Sequence, residues 1–190
     1  NNLLCYVVDT SKFEHINEMK QILVGIAEKI DVINMNNIPM QHTIELMKNK
    51  NQLQQKVVEF IKNADLYMDN FEYVDMDKIQ LKTGEGDEKP DEKVLDIPEN
   101  IMDQIRLVST YKGVHVPSMM FDSTGTKKIA AIASYVIEAL EQGRILVVDE
   151  LDSSIHFKLT RAIVAMFNNE LNTSAQMIFT VHDINLMDCK

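Results

Sequence analysis

A chain of 190 residues, 45% of them hydrophobic, is long enough to bury a sizeable core without disulfide staples. Its 19 basic and 29 acidic residues leave a net charge of −10, which argues against a surface built to coat nucleic acid. Two cysteines, Cys5 and Cys189, exclude a disulfide framework and point to a reducing cytoplasm; no secretory signal is visible and no apolar run reaches the ~18 residues of a bilayer span.

Phe13, Ile16, Met19, Leu23, Ile26, Ile30 and Ile33 step by three and four, the spacing of one helix face, and predict a helix over 13–33 with Ser11 as its cap. Beyond Pro39, Ile44, Met47, Leu53, Val57, Phe60, Ile61 and Ala64 repeat the pattern less cleanly over 41–66, so the two segments are expected to form a helical hairpin. Several of the 12 methionines fall here, and a Met-rich helix face reads first as adaptable core. "FEYVDMDKIQL" (71–81) reads as a strand with one slip in its alternation. Residues 83–98, dominated by glycine, proline and charge, read as a mobile acidic surface loop without chemistry. "IRLVSTY" and "VHVPSMMF" flank Lys112-Gly113 and predict a β-hairpin.

From 124 the pattern changes. Ile129, Ile132, Ala133, Val136, Ile137 and Leu140 recur at helical spacing, and Gly143 ends the run. A strand over 144–149 follows, then a helix over 153–170 capped by Ser153 or Ser154, then a β-branched and aromatic strand in "AQMIFTVHD". Helix, strand, helix, strand at these lengths predicts an α/β fold with parallel strands.

The first of those strands runs Ile145, Leu146, Val147, Val148 and then stops on Asp149 and Glu150 with no turn residue between. In a parallel α/β sheet, ligands gather beyond the carboxyl ends of the strands. His182 and Asp183 close the next strand, so neighbouring strands would place these groups on one rim. Alternation along a strand sends Asp149 and Glu150 to opposite faces and gives them different tasks. One can hold a hydrated Mg2+, the other can orient or deprotonate a water. The plainer alternative is that the pair opens a loop and helps cap the next helix. A third feature, "FDSTGTKK", opens the helix at 124. Ser123 and Thr124 can cap it, and Gly125 lets an anion approach free N–H groups at the positive end of the dipole. Lys127 and Lys128 stand in the first turn, where the dipole disfavours cations and a docked anion would offset that.

Taken together and in order, these stretches resemble the ABC-type ATPases. "DSTGT" (122–126) resembles their signature motif, "ILVVDE" (145–150) their Walker B strand and "LDSS" (151–154) their D-loop, while His182 in "FTVHD" stands at their switch histidine. Ser123 precedes Asp149 by 26 residues and Asp149 precedes His182 by 33, spacings that suit that fold. The variant "STGTKK … VVDELDSSIH … IFTVHD" is most similar to AAA-type ATPases of the ABC superfamily tied to abortive infection and phage defence. These are relatives of the chromosome-maintenance and overcoming-lysogenization-defect ATPases. The resemblance covers about 105–190. It implies a C-terminal lobe of a P-loop NTPase over 99–190 and a helical insertion or lid over 1–98.

It further implies ATP and Mg2+ as ligands and a homodimer that sandwiches two nucleotides. Asp149 would hold Mg2+ through water, Glu150 would position the hydrolytic water, and His182 would contact the γ-phosphate. Ser123, Gly125 and Thr126 would bind the partner's γ-phosphate, and Asp152, Ser153 and Ser154 would link the two sites. DNA or a partner effector protein is a further expected partner; a membrane is not. The motif G-x-x-x-x-G-K-[ST] is nowhere in the chain, and the first residue is Asn1, so the phosphate-loop lobe is expected upstream. Phe157 stands where relatives often carry proline after the D-loop histidine, which bears on how His156 is presented. Two other readings stay open. One is a metal-dependent nuclease or phosphodiesterase built on Asp149, Glu150 and Asp152. The other is a non-catalytic interaction module.

Overall fold

The computed structural model describes residues 16–49, 52–65, 67–74 and 98–186. In chain order it runs α1 (Ile16–Ala27), β1 (Ile30–Asn34), a 3-10 turn (Met35–Asn37), α2 (Gln41–Lys48), α3 (Leu53–Ala64) and β2 (Asn70–Tyr73). There follow α4 (Glu99–Arg106), β3 (Leu107–Tyr111), β4 (Val114–Pro117), α5 (Ser118–Phe121), α6 (Thr124–Gln142), β5 (Ile145–Asp149), α7 (Phe157–Phe167), β6 (Gln176–Phe179) and a last 3-10 turn (Ile184–Leu186). The expected strand beyond residue 74, the acidic loop up to residue 97, the Ser11 cap and both cysteines lie outside the described residues.

Strands β1, β5 and β6 form a parallel sheet in that order, and β2, β3 and β4 form an antiparallel one. The molecule is thus α/β, with a parallel three-stranded sheet flanked by helices. Helix α6 lies between two cores. Ala130, Ala131, Ala133 and Ile137 pack with Ile44, Met47, Val57, Ile61, Phe71 and Leu107, from α2, α3, β2 and β3. Ile132, Val136 and Ala139 pack with Ile33, Leu146, Val148, Ile163 and Val164, from the parallel sheet and α7. A helix buried nearly all round needs small residues wherever backbones crowd it, which the alanines supply. Ser123 caps it by accepting the Thr126 N–H at 3.1 Å, and Gly143 ends it in the left-handed conformation at φ 66°.

The expected long helix over 13–33 is corrected. The chain leaves α1 at Ala27, and Ile30–Asn34 is a strand paired in parallel with β5, Ile30 opposite Ile145 and Asn34 opposite Asp149. Ile30 and Ile33, three apart, satisfy a helical spacing, but Ile30, Val32 and Ile33 are β-branched and the ladder with β5 decides their state. The second arm of the expected hairpin is two helices, α2 and α3; Asn49 ends α2, its N–H bonded to the Glu45 carbonyl. Both pack against α6. Of the methionines there, Met35, Met40 and Met47 are buried core, whereas Met19 on α1 is exposed. The β3–β4 hairpin forms as expected. Lys112 and Gly113 turn at φ 49° and 79°, the two positive φ angles of a tight hairpin turn. Its flanks are shorter than expected, because Arg106 belongs to α4 and Ser118–Phe121 is a helical turn.

Candidate nucleotide site

Parallel pairing sets β5 and β6 side by side, with Val148 opposite Phe179, so both strands deliver their next residues to one edge. Thr180 fastens that edge. Its N–H donates to the Val148 carbonyl at 3.0 Å, and its own carbonyl accepts the Leu151 N–H at 2.9 Å. Its hydroxyl donates to Asp149 Oδ1 at 2.7 Å and accepts the Glu150 N–H at 2.8 Å.

Asp149 is the last residue of β5 and is exposed; its Oδ2 accepts Asn34 Nδ2 at 2.7 Å. Glu150 is no longer strand. It sits at φ 55°, in the left-handed region, so the expected alternation of faces does not govern it. Holding a glutamate there costs on the order of 1–2 kcal/mol, and the surrounding bonds must supply it. The carboxylate turns back along the rim, where Asn36 Nδ2 donates to Oε2 and His182 Nε2 stands 3.9 Å from Oε1. Asp149, Glu150 and His182 therefore share one edge, with His182 largely exposed at 79%.

Asp152 faces elsewhere. Its Oδ2 accepts the backbone N–H groups of His182 and Asp183, both at 3.0 Å, and its Oδ1 is buried without a hydrogen bond. It ties the segment after β5 to the segment after β6. Among the described residues no three His, Cys, Asp or Glu side chains are grouped to hold a metal ion, which speaks against an acidic cluster of Asp149, Glu150 and Asp152. A lone Asp149 beside Glu150 suits a Mg2+ that keeps most of its waters and takes its other ligands from phosphate.

The start of α6 lies against the segment 151–154. A side chain on Gly125 would put its Cβ 3.3 Å from the Ser154 carbonyl, so glycine permits this approach. Ser154 itself is left-handed at φ 63°. Lys128 Nζ donates to the Ser153 carbonyl at 3.2 Å and to Ser153 Oγ at 3.3 Å, so this first-turn cation is held by the chain itself. The Ser123 and Thr126 hydroxyls lie 2.9 Å apart, and Thr126 Oγ1, nearly buried, donates to Asp65 Oδ2 at 3.0 Å. The expected serine cap of the next helix is corrected: α7 starts at Phe157, and His156 Nδ1 accepts the Lys158 N–H at 3.2 Å. The Phe157 ring stands 4.8 Å from the His156 ring.

Asn34, Asn36 and Thr180 are the rim residues that sequence reasoning missed. The signal for Asn34 and Asn36 was present in "INMNN": asparagines follow a β-branched run, as Asp149 and Glu150 follow theirs, and reading 30–34 as a strand would have placed them on the same edge.

The family model described as "AAA domain, putative AbiEii toxin, Type IV TA system" matches residues 9–188. No curated protein matches the chain.

Proposed function

The chain belongs to this AAA-domain family, and on that premise we propose that the rim of Asp149, Glu150 and His182 is the hydrolytic edge of an ATPase of ABC type that works as a head-to-head dimer. The family supports nucleotide binding and ATPase activity in general. The observation that carries the finer reading is the convergence of the three side chains beyond the carboxyl ends of two adjacent parallel strands, where an α/β sheet receives its ligand.

In this reading Asp149 would hold Mg2+ through water, and the ion would supply charge neutralisation on the phosphates. Asp149 fits the role, being exposed with its orientation fixed by Thr180 and Asn34. Glu150 orients the attacking water, with Asn36 and His182 on either side of its carboxylate. His182 would contact the terminal phosphate. Phosphoryl transfer depends on positioning and charge stabilisation more than on covalent chemistry, and the rim offers both. Ser123, Gly125 and Thr126, at the start of a 19-residue helix, would receive the γ-phosphate bound to a second copy. Asp152, Ser153 and Ser154 would link the two sites.

The cradle for the β- and γ-phosphates would come from a phosphate-loop lobe outside these 190 residues, which contain no such motif. An open sheet face supports this. Ile33, Leu146 and Val148 are buried on one side, while Val32 (73% exposed) and Ile178 (60% exposed) flank Val147 on the other. Parallel sheets are normally covered on both faces. The family description names a putative toxin of a type IV toxin–antitoxin system, and a role in such a system is part of this proposal.

Steady-state ATP hydrolysis by the intact protein tests the assignment. Glu150→Gln should lower turnover by about 10²-fold or more while leaving ATP binding in place. Undiminished turnover would remove Glu150 from the mechanism.

A further inference from the structure

We propose that Asn36 is a positioning residue that holds the Glu150 carboxylate and couples it, through Ser153, to the start of α6. The inference rests on the hydrolytic reading of Glu150 and goes beyond it by naming what sets the orientation of that carboxylate.

The Asn36 amide faces two ways. Its Nδ2 donates to Glu150 Oε2, and its Oδ1 accepts the Ser153 hydroxyl at 2.5 Å. A carboxylate can only accept and a serine hydroxyl can donate, so an amide at this point satisfies both, whereas an aspartate or an alkyl group cannot. The side chain leaves from a fixed backbone. Residue 36 lies in the 3-10 turn that ends β1, and its N–H donates to Asn34 Oδ1 at 2.8 Å. Asn34 in turn is fixed by its bond to Asp149. Glu150 has its backbone N–H held by Thr180, so what remains to be set is the carboxylate, and Asn36 sets one of its two oxygens.

Ser153 is also the residue that Lys128 grips from the first turn of α6. Lys128, Ser153, Asn36 and Glu150 thus form one hydrogen-bonded line from the helix start to the rim. An anion arriving at the start of α6 competes for Lys128, loosens Ser153 and changes how Asn36 presents Glu150. The site that receives a partner's phosphate and the site that orients water are in this way linked within one chain.

Steady-state kinetics of the intact protein, with Glu150→Gln as reference, separate the possibilities. Asn36→Ala and Asn36→Asp should lower kcat about tenfold or more, with KM for ATP within about twofold and an unchanged thermal unfolding midpoint. Asn36→Gln, which keeps the amide, should recover part of the loss. Ser153→Ala should lower kcat less, and the double variant Asn36→Ala/Ser153→Ala should be no worse than Asn36→Ala alone. If Asn36→Ala turns over like the native protein while Glu150→Gln is inactive, the positioning role is wrong and the reading of Glu150 stands. Additive losses in the double variant overturn the coupling. If Glu150→Gln turns over normally, the underlying reading fails instead.

Discussion

Asp122 shows how strongly a single side chain can tie the region beside the site. It is 7% exposed and accepts three hydroxyl bonds, from Ser109 at 2.5 Å, Ser118 at 2.7 Å and Tyr111 at 2.9 Å. These bonds join β3 and α5 to the residue just before the α6 cap. Burial, and then the bond to Asp122, push the Tyr111 phenol well above its ordinary value of 10.0. The folded chain therefore keeps a proton that the unfolded chain releases above about pH 10, so this part of the stability is full below that pH and falls as pH rises beyond it. Tyr111→Phe should cost about 1 kcal/mol at neutral pH through the lost hydrogen bond. It should also flatten the alkaline decline seen in urea unfolding between pH 9 and about pH 11. The decline should shrink rather than vanish, because burial also raises the phenols of Tyr73 and Tyr135. An alkaline limb as steep as the native one would show that Tyr111 is not the titrating group.

Helix α6 has to serve both cores, so its small residues matter as much as its large ones. Ala133 has no exposed surface and belongs to the core that α6 shares with α2, α3, β2 and β3. Ala133→Leu adds volume with no space to receive it and should cost about 1–3 kcal/mol in urea unfolding. A change below about 0.5 kcal/mol, the range of surface substitutions, would mean that α6 is free to shift. The same helix is fastened to α2 by His42, which bonds Ser134 Oγ at 2.9 Å and Glu138 Oε2 at 2.7 Å. His42 Nε2, bonded to Glu138, holds that carboxyl below its ordinary value of 4.5. The stability from this clamp is therefore present above about pH 4.5 and is lost as pH falls through the lower folded value.

At the scale of the molecule the open face of the parallel sheet carries the argument for a further lobe. Val32 and Ile178 flank Val147 in one cross-strand row, opposite the face that α6 and α7 cover. Val32→Thr together with Ile178→Thr keeps β-branching, so the strands themselves should be undisturbed. In the 190-residue chain the pair should change unfolding free energy by no more than about 0.5 kcal/mol. In the intact protein, where the proposed lobe buries both hydroxyls, the cost should be about 1–3 kcal/mol per site. Equal effects in the two proteins would mean that this face stays bare. No helix among the described residues is long and apolar enough to cross a membrane.

The α6–β5–α7–β6 succession was legible from the amino acids alone, because those elements carry local signals. A Ser cap, a terminal Gly, a four-residue β-branched and apolar run and a 3.6-residue period depend on neighbours in the chain. The positions of Asp149, Glu150 and His182 were legible too, as two charges and an imidazole where apolar runs stop. Tertiary structure alone decided the state of 30–34. Ile30 and Ile33 suit a helix or a strand, and only the ladder with β5, more than a hundred residues away, settles it. With that strand came Asn34 and Asn36, which reach Asp149 and Glu150 through pairing that no local pattern encodes. The left-handed turn at Glu150 belongs to the same class. It exists because Thr180, thirty residues on, holds the Glu150 N–H, and a contact between distant segments leaves no periodicity in the sequence to be read.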